Sequence, residues 1–205
     1  MVIKDKVLNM LAKADGNYVS GEDLARSLGV SRNAIWKAIN ALRGQGVFIH
    51  AATNKGYRLG GKVDILSEEL IRNYLEDEDG RFFIDVRREV ASTNTVLKQM
   101  AETGAPEGTV LIAQEQTGGK GRLQRRFFSP PGTGIYMSVL LRPCILAADC
   151  LFITTASAVA VAEAIKDVCG KDARIKWVND VYCDGKKVCG ILTEASLDLE
   201  SGGVA

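Results

Sequence analysis

The chain has 205 residues and a formal net charge of +1, so no global field argues for nucleic acid and any basic site has to be local. A hydrophobic content of 46% with 25% charged residues is that of an ordinary globular protein, long enough for one large domain or two smaller ones. The N-terminus carries no secretory apolar region and the chain no apolar run of about 18 residues, which argues against a membrane span and makes the cytoplasm the expected compartment.

Five cysteines, Cys144, Cys150, Cys169, Cys183 and Cys189, give an odd count without a C-x-x-C pair. That argues against a disulfide framework or a zinc site, and the cysteines are expected as small apolar core residues. His50 is the only histidine, so a Ser-His-Asp or Cys-His mechanism would have to depend on it.

Along the first sixty residues, Ile3, Val7, Leu8 and Leu11 recur at helical spacing and Gly16 follows as a stop. Ser20 stands as an N-cap with Asp23 three residues on, a short-armed capping box, before a helix burying Leu24, Ala25 and Leu28. Gly29-Val30-Ser31 turns the chain, and Ser31 caps a third helix with Ile35, Ile39 and Leu42 inward. This is a helix-turn-helix. Its outward residues Ser31, Arg32, Asn33, Lys37 and Asn40 suit base edges and phosphate. Val47–Ala51 and Gly56–Leu59 read as two strands of a wing with Lys55 at its tip. The order helix, helix-turn-helix, hairpin points to DNA binding.

Gly60 and Gly61 mark a hinge, and Ser67 caps a helix expected to run to about Leu75. Glu76–Asp79 reads as a solvated acidic turn. Phe82–Val90 is strand-like, and Ser92-Thr93-Asn94 leads into a helix with Val96, Leu97 and Met100 inward. Ser92 is the natural N-cap, and its neighbours can also face a polar ligand. Thr109–Gln114 and Ile135–Leu141 are strands on either side of Gln116–Pro130, QTGGKGRLQRRFFSP. That segment has neither a helical nor a strand period. Its glycines permit close backbone approach, and Lys120, Arg122, Arg125 and Arg126 suit phosphate or carboxylate. It is read as a loop folding over an anionic ligand; it lies between strands and lacks the G-x-x-x-x-G-K-[ST] pattern of a P-loop. Leu151–Val168 is an alanine-rich apolar helix expected to be buried against a sheet. Arg174–Val178, Val181–Cys183 and Val188–Glu194 are expected strands, with Asp184-Gly185 as a hairpin turn.

In this order, SGEDLARSLGVSRNAIWKAINALRGQGV, NKGYRL, the STN of Ser92–Asn94, QTGGKGRLQRRFFSPPGTGIYMS, KWVND at Lys176–Asp180 and KKVCGILTE resemble the bifunctional biotin–protein ligases that also repress the biotin operon. The resemblance covers essentially the whole chain. It implies an α+β protein with a winged helix-turn-helix over residues 1–61, a linker over 62–66, and an incomplete mixed-sheet biotin/lipoate ligase-like catalytic domain over 67–205. It further implies ATP, Mg2+ and biotin as substrates and cofactors, with magnesium arriving through ATP and no certain protein metal site. Biotin carrier protein and operator DNA are the implied partners, a homodimer the implied liganded state, and biotinyl-AMP the corepressor.

Carried over residue by residue, the resemblance places biotin against Ser92, Thr93, Asn94, Gln116, Lys120, Gly121, Arg122, Lys187 and Gly190. It places the nucleotide against Gly119, Arg122, Arg125, Lys176, Asn179 and Asp180, with Arg122 and Lys176 as the catalytic cations. Three departures stand out. The family usually has Gly where this chain has Gln124, and Pro where it has Val178. Such ligases also continue past Ala205 into a small β-barrel, so the chain is expected to be a truncated form with impaired catalysis. A biotin-sensing repressor without ligase activity and a lipoate or octanoate ligase-like enzyme are the alternative readings.

Overall fold

The structure, a computed structural model, describes residues 2–44, 46–61, 66–75, 79–145 and 149–195. Two compact units divide at Asp77 and Glu78.

In the first unit, helices α1 (Ile3–Lys13), α2 (Gly21–Leu28) and α3 (Arg32–Gly44) precede an antiparallel hairpin of β1 (Ile49–Ala52) and β2 (Gly56–Leu59). The caps are those the sequence calls for. Ser20 Oγ accepts from Asp23 N at 3.0 Å and donates to its carboxylate, and Ser31 Oγ accepts from Ala34 N at 3.2 Å. Val7, Leu8, Leu11, Leu24, Ile35, Ile39 and Leu42 form one core with Ile49 and Leu59 of the hairpin. The wing is tied in at its base, where Val19 and Tyr57 exchange two backbone hydrogen bonds of 2.8 Å. Gly56 is required at that crossing. Its φ is +98°, and a Cβ there would fall 2.1 Å from Val19 O.

Helix α4 (Glu68–Arg72) follows, capped by Ser67 Oγ accepting from Leu70 N. It ends before the Leu75 expected from sequence. It also belongs to the first unit, not to the second as a boundary at 61–67 implies. The reason is packing: Leu70 lies against the core of the first unit, and Asn73 Nδ2 donates to Asn9 Oδ1 at 2.9 Å. The linker expected at 62–66 and the acidic turn at Glu76–Asp79 fall mostly outside the described residues.

The second unit contains a mixed sheet of β3 (Phe83–Val90), β4 (Thr109–Gln116) and β5 (Tyr136–Val139), in that order. β3 and β4 are parallel, β4 and β5 antiparallel. Helix α5 (Thr93–Glu102) is the crossover from β3 to β4 and packs Leu97 against Leu111 and Leu140. After α6 (Cys150–Cys169) come β6 (Arg174–Lys176), β7 (Asp180–Cys183) and β8 (Lys186–Gly190), a second antiparallel sheet. Asp184-Gly185 makes the β7–β8 turn, both residues at positive φ. β8 stops at Gly190, so the strand expected to continue to Glu194 is shorter, and 191–194 run on without ladder pairing.

Two sequence expectations fail here. Helix α6 is not buried along its length. Only Thr154 and Ala158 are buried, while Phe152 is 67% and Val168 84% exposed. A twenty-residue helix is about 30 Å long, more than the three short strands β6–β8 can cover. The cysteines are likewise not uniformly core residues. Cys183 is buried, Cys150 and Cys189 are half-buried, and Cys144 and Cys169 are exposed. Cys169 ends α6 and shares that helix's exposure.

Between β4 and β5 the chain makes a tight turn at 122–124, where Leu123 and Gln124 take φ of +56° and +60°. Gln124, which stands where the family usually has Gly, is therefore left-handed. Trp177–Val178 is a cis peptide. Because a side chain at positive φ is strained and a glycine is not, Gln124→Gly should raise the unfolding free energy of the second unit by about 0.5–1 kcal/mol, net of glycine's larger unfolded-state entropy. Urea denaturation reads this directly; an unchanged or lower value would show that the turn carries no such strain.

Candidate functional site

Parallel pairing of β3 and β4 sets Val90 beside Gln116 at the C-terminal ends of both strands. In open sheets that is the end where ligands bind. α5 begins there, three residues after Val90. Ser92 occupies the N-cap position and is buried, but its side chain makes no capping hydrogen bond. The expectation that Ser92 caps the helix is therefore incorrect in its chemistry. The cap comes from Gln116, whose Oε1 accepts from Thr93 N at 2.8 Å and from Thr93 Oγ1 at 3.1 Å. The longer amide reaches the helix end from the next strand and leaves Ser92 Oγ out of the capping role.

Gln116 also reaches the other way. Its Nε2 donates to Ser129 Oγ at 3.0 Å, and Ser129 Oγ donates to Phe127 O at 3.1 Å. Ser138 on β5 completes the cluster. Its hydroxyl lies 2.8 Å from Thr93 Oγ1 and also within hydrogen-bond reach of Asn94 Oδ1, two acceptors for one proton. Neither Ser129 nor Ser138 was among the residues singled out from sequence. The available signal was a serine inside the largely apolar run Ile135–Leu141.

The glycine-rich segment closes on itself as a narrow excursion over this cluster. Thr117 N and Gly118 N extend the ladder to Val90 O and Ala91 O, at 3.0 and 2.7 Å. Lys120 then bridges to Arg126, Gly121 N donates to Arg125 O at 2.7 Å, and Phe127 N to Gly119 O at 2.8 Å. Gly119 sits at the closest approach: a Cβ would come 2.5 Å from Phe127 O and 2.7 Å from Ser129 Oγ. Lys120, Arg122, Arg125 and Arg126 are all exposed.

A second group comes from β6–β8. Arg122 Nη1 donates to Asn179 Oδ1 at 3.0 Å, joining the basic loop to this group. Asn179 is held in turn by Ile191, through Nδ2 to Ile191 O at 3.1 Å and Ile191 N to Asn179 O at 2.8 Å. Asn94 reaches the same run, its Nδ2 donating to Leu192 O and Glu194 Oε2. Lys187 Nζ lies 2.6 Å from Asp180 Oδ1, and a Cβ at Gly190 would meet the end of the Lys187 side chain at 3.0 Å. Lys176 Nζ stands 5.8 Å over the Tyr182 ring. Burial is the main influence that pushes the Cys189 thiol up, with the Asp180 carboxylate adding to it and Lys187 opposing it.

A cavity of about 250 Å³ opens beside Arg122 and Asn179, with Leu123, Val178, Ile191 and Thr193 in its wall. The Thr93–Gln116–Ser138 cluster does not line it; those side chains satisfy one another. So the two expected groups of residues are joined by Arg122 and Asn94 and do not share one open pocket. On the first unit, Ser31, Arg32, Asn33 and Lys37 are exposed on α3, Asn40 is half-buried, and Lys55 is exposed at the wing tip.

Gln116→Leu keeps the volume and removes every one of these bonds, leaving Thr93 N and the hydroxyls of Thr93 and Ser129 short of a partner. It should destabilise the second unit by about 1–3 kcal/mol, read by urea unfolding. Wild-type stability in that variant would show that Gln116 does not organise the site.

Residues 86–201 match the biotin/lipoate A/B protein ligase family, and residues 4–58 match an HTH domain. The chain is 38% identical over 192 residues to the bifunctional ligase/repressor BirA of Bacillus subtilis, covering 94% of this chain and 59% of that protein. It is 33% identical over 182 residues to the Escherichia coli protein of the same name, covering 88% and 55%. It thus spans somewhat over half the length of these relatives. Among solved structures, a biotin protein ligase from Aquifex aeolicus in complex with biotin and ATP is 35% identical with a TM-score of 0.50, over 59% of this chain and 48% of that one. With the match covering more than half of its residues, the chain belongs to the biotin/lipoate A/B protein ligase family.

Proposed function

We propose that this chain is the DNA-binding and substrate-activating part of an ATP-dependent biotin–protein ligase that also represses transcription. The observation that carries the proposal is the hydrogen-bonding cluster of buried Thr93 and Ser138 with half-buried Gln116, lying under a glycine-rich, cationic loop. Thr93, Gln116 and Ser138 satisfy one another here, so a ligand has to exchange into their hydrogen bonds. A cyclic urea, which both donates and accepts, can do that; the dithiolane of lipoate offers no matching polar groups, and polar sites discriminate strongly against such partners. The Bacillus subtilis and Escherichia coli relatives, described as bifunctional ligase/repressors, support the same reading.

In this mechanism a biotin carboxylate oxygen attacks the α-phosphorus of ATP. The bond to pyrophosphate breaks, giving biotinyl-AMP. The amine of a carrier-protein lysine then attacks the acyl carbon, forming an amide and releasing AMP. No protein nucleophile is needed, and His50, edge-on to Phe48 in β1 at 4.8 Å between ring centres, has no part in it. The chain's work is to hold the reactants and to stabilise charge on the phosphoryl oxygens. Ser92, Thr93, Asn94, Gln116, Lys120, Gly121, Lys187 and Gly190 take biotin; Gly119, Arg122, Arg125 and Lys176 take the adenylate phosphate. Asn179 holds Arg122 toward it, as the 3.0 Å hydrogen bond supports.

Among the described residues no group of three or more His, Cys, Asp or Glu could hold a metal ion. Magnesium would enter on the phosphates of ATP, as it usually does, with Asp180 as the nearby carboxylate. No helix among the described residues is long and apolar enough to cross a membrane. We place the protein in the cytoplasm, pairing as a dimer on operator DNA when liganded.

Three measurements test the two activities. Biotin-dependent ATP–pyrophosphate exchange should be present, and Arg122→Gly should release biotinyl-AMP early and biotinylate nearby lysines indiscriminately; strict retention of the adenylate would remove Arg122 from that role. Lys37→Ala should weaken DNA binding and reduce its salt slope by about 1, measured by anisotropy at several salt concentrations. An unchanged slope would take Lys37 off the phosphate backbone.

A further inference from the structure

Trp36 is the residue on α3 that neither the fold nor the ligand site uses. Its neighbours Ile35, Ala38, Ile39 and Leu42 are buried, whereas Trp36 is 55% exposed and has no place in the core of the first unit. At 3.6 residues per turn it stands one turn from Arg32 on one side and one turn from Asn40 on the other. Asn33 precedes it by three residues and Lys37 follows it directly. Trp36 is therefore set within the polar, cationic face of the helix.

We propose that Trp36 determines DNA sequence specificity by laying its indole against the 5-methyl group of a thymine in the major groove. The proposal rests on the DNA-binding reading above. The chemistry selects this occupant in two steps. Protein–protein interface cores are depleted of charge, but this indole is surrounded by Arg32 and Lys37, with Lys55 on the same unit's wing. The complementary surface is a polyanion. Within the major groove, thymine is the base that offers an apolar group, and asparagine pairs bidentately with adenine. An indole between Asn33 and Asn40 is thus matched to a run of A·T pairs, with the asparagines reading adenine and Trp36 the methyl group.

The test uses the full 205-residue chain with biotin, ATP and magnesium present, the liganded state in which DNA binding is proposed. A duplex is enriched from a randomised pool, each thymine in turn is replaced by deoxyuridine, and Kd is measured by fluorescence anisotropy. Deoxyuridine removes only the methyl group. Wild type should lose roughly 4-fold at one position, the worth of one buried methyl-sized group. Trp36→Ala should bind the thymine and uridine duplexes equally, with a wild-type salt slope and unchanged thermal unfolding; Trp36→Phe should restore part of the discrimination. The inference is overturned if no thymine-to-uridine change matters. It is also overturned if Trp36→Ala keeps the wild-type discrimination, or weakens enriched and random duplexes alike. If wild type enriches no duplex, the DNA-binding reading itself falls; enrichment without methyl dependence removes the role of Trp36 alone.

Discussion

One amide side chain ties the second unit's site together. Gln116 ends β4, caps α5 through Thr93, and grips the returning arm of the basic loop through Ser129. A strand, the helix beside it and the loop above it therefore share a single reference point. This arrangement gives up a local cap at Ser92 for one supplied from 23 residues away along the chain. The gain is geometric: the helix start and the loop cannot move independently without breaking a half-buried hydrogen bond, which costs up to about 1–3 kcal/mol when a partner is left unsatisfied.

The chemistry of the site divides along the same line. Under the loop the polar groups are neutral and mutually satisfied. Above it and on β6–β8 stand the cations Lys120, Arg122, Arg125, Lys176 and Lys187. Of these, Lys187 is paired with Asp180 and Arg122 is held by Asn179. A molecule with a neutral hydrogen-bonding head and an anionic end matches that gradient. The cavity beside Arg122 lies at the charged end.

How much of this was legible in the sequence follows from the range of each interaction. The first unit reads almost residue by residue because its signals are local. Ser20 with Asp23, Ser31 with Ala34 and Ser67 with Leu70 are all contacts three residues apart. The basic loop was legible too, from composition, and the departure from the family's glycine at Gln124 marked the position that the structure shows at positive φ. What sequence could not show is long-range. The Gln116 cap, the Ser138 hydroxyl pointing at α5, and the link from Asn94 to Glu194 join residues 23 to 100 positions apart. The exposure of α6 was illegible for another reason: a helix that is apolar all round marks no buried face, so periodicity cannot say which side is covered.

The measurement that bears most directly on this account is calorimetric titration of the 205-residue chain with biotin, with lipoate as the control ligand. The account predicts a saturable heat with biotin and none with lipoate. A folded chain that takes up neither ligand, or both alike, would contradict the claim that the Gln116 cluster and the loop above it form a biotin-selective site.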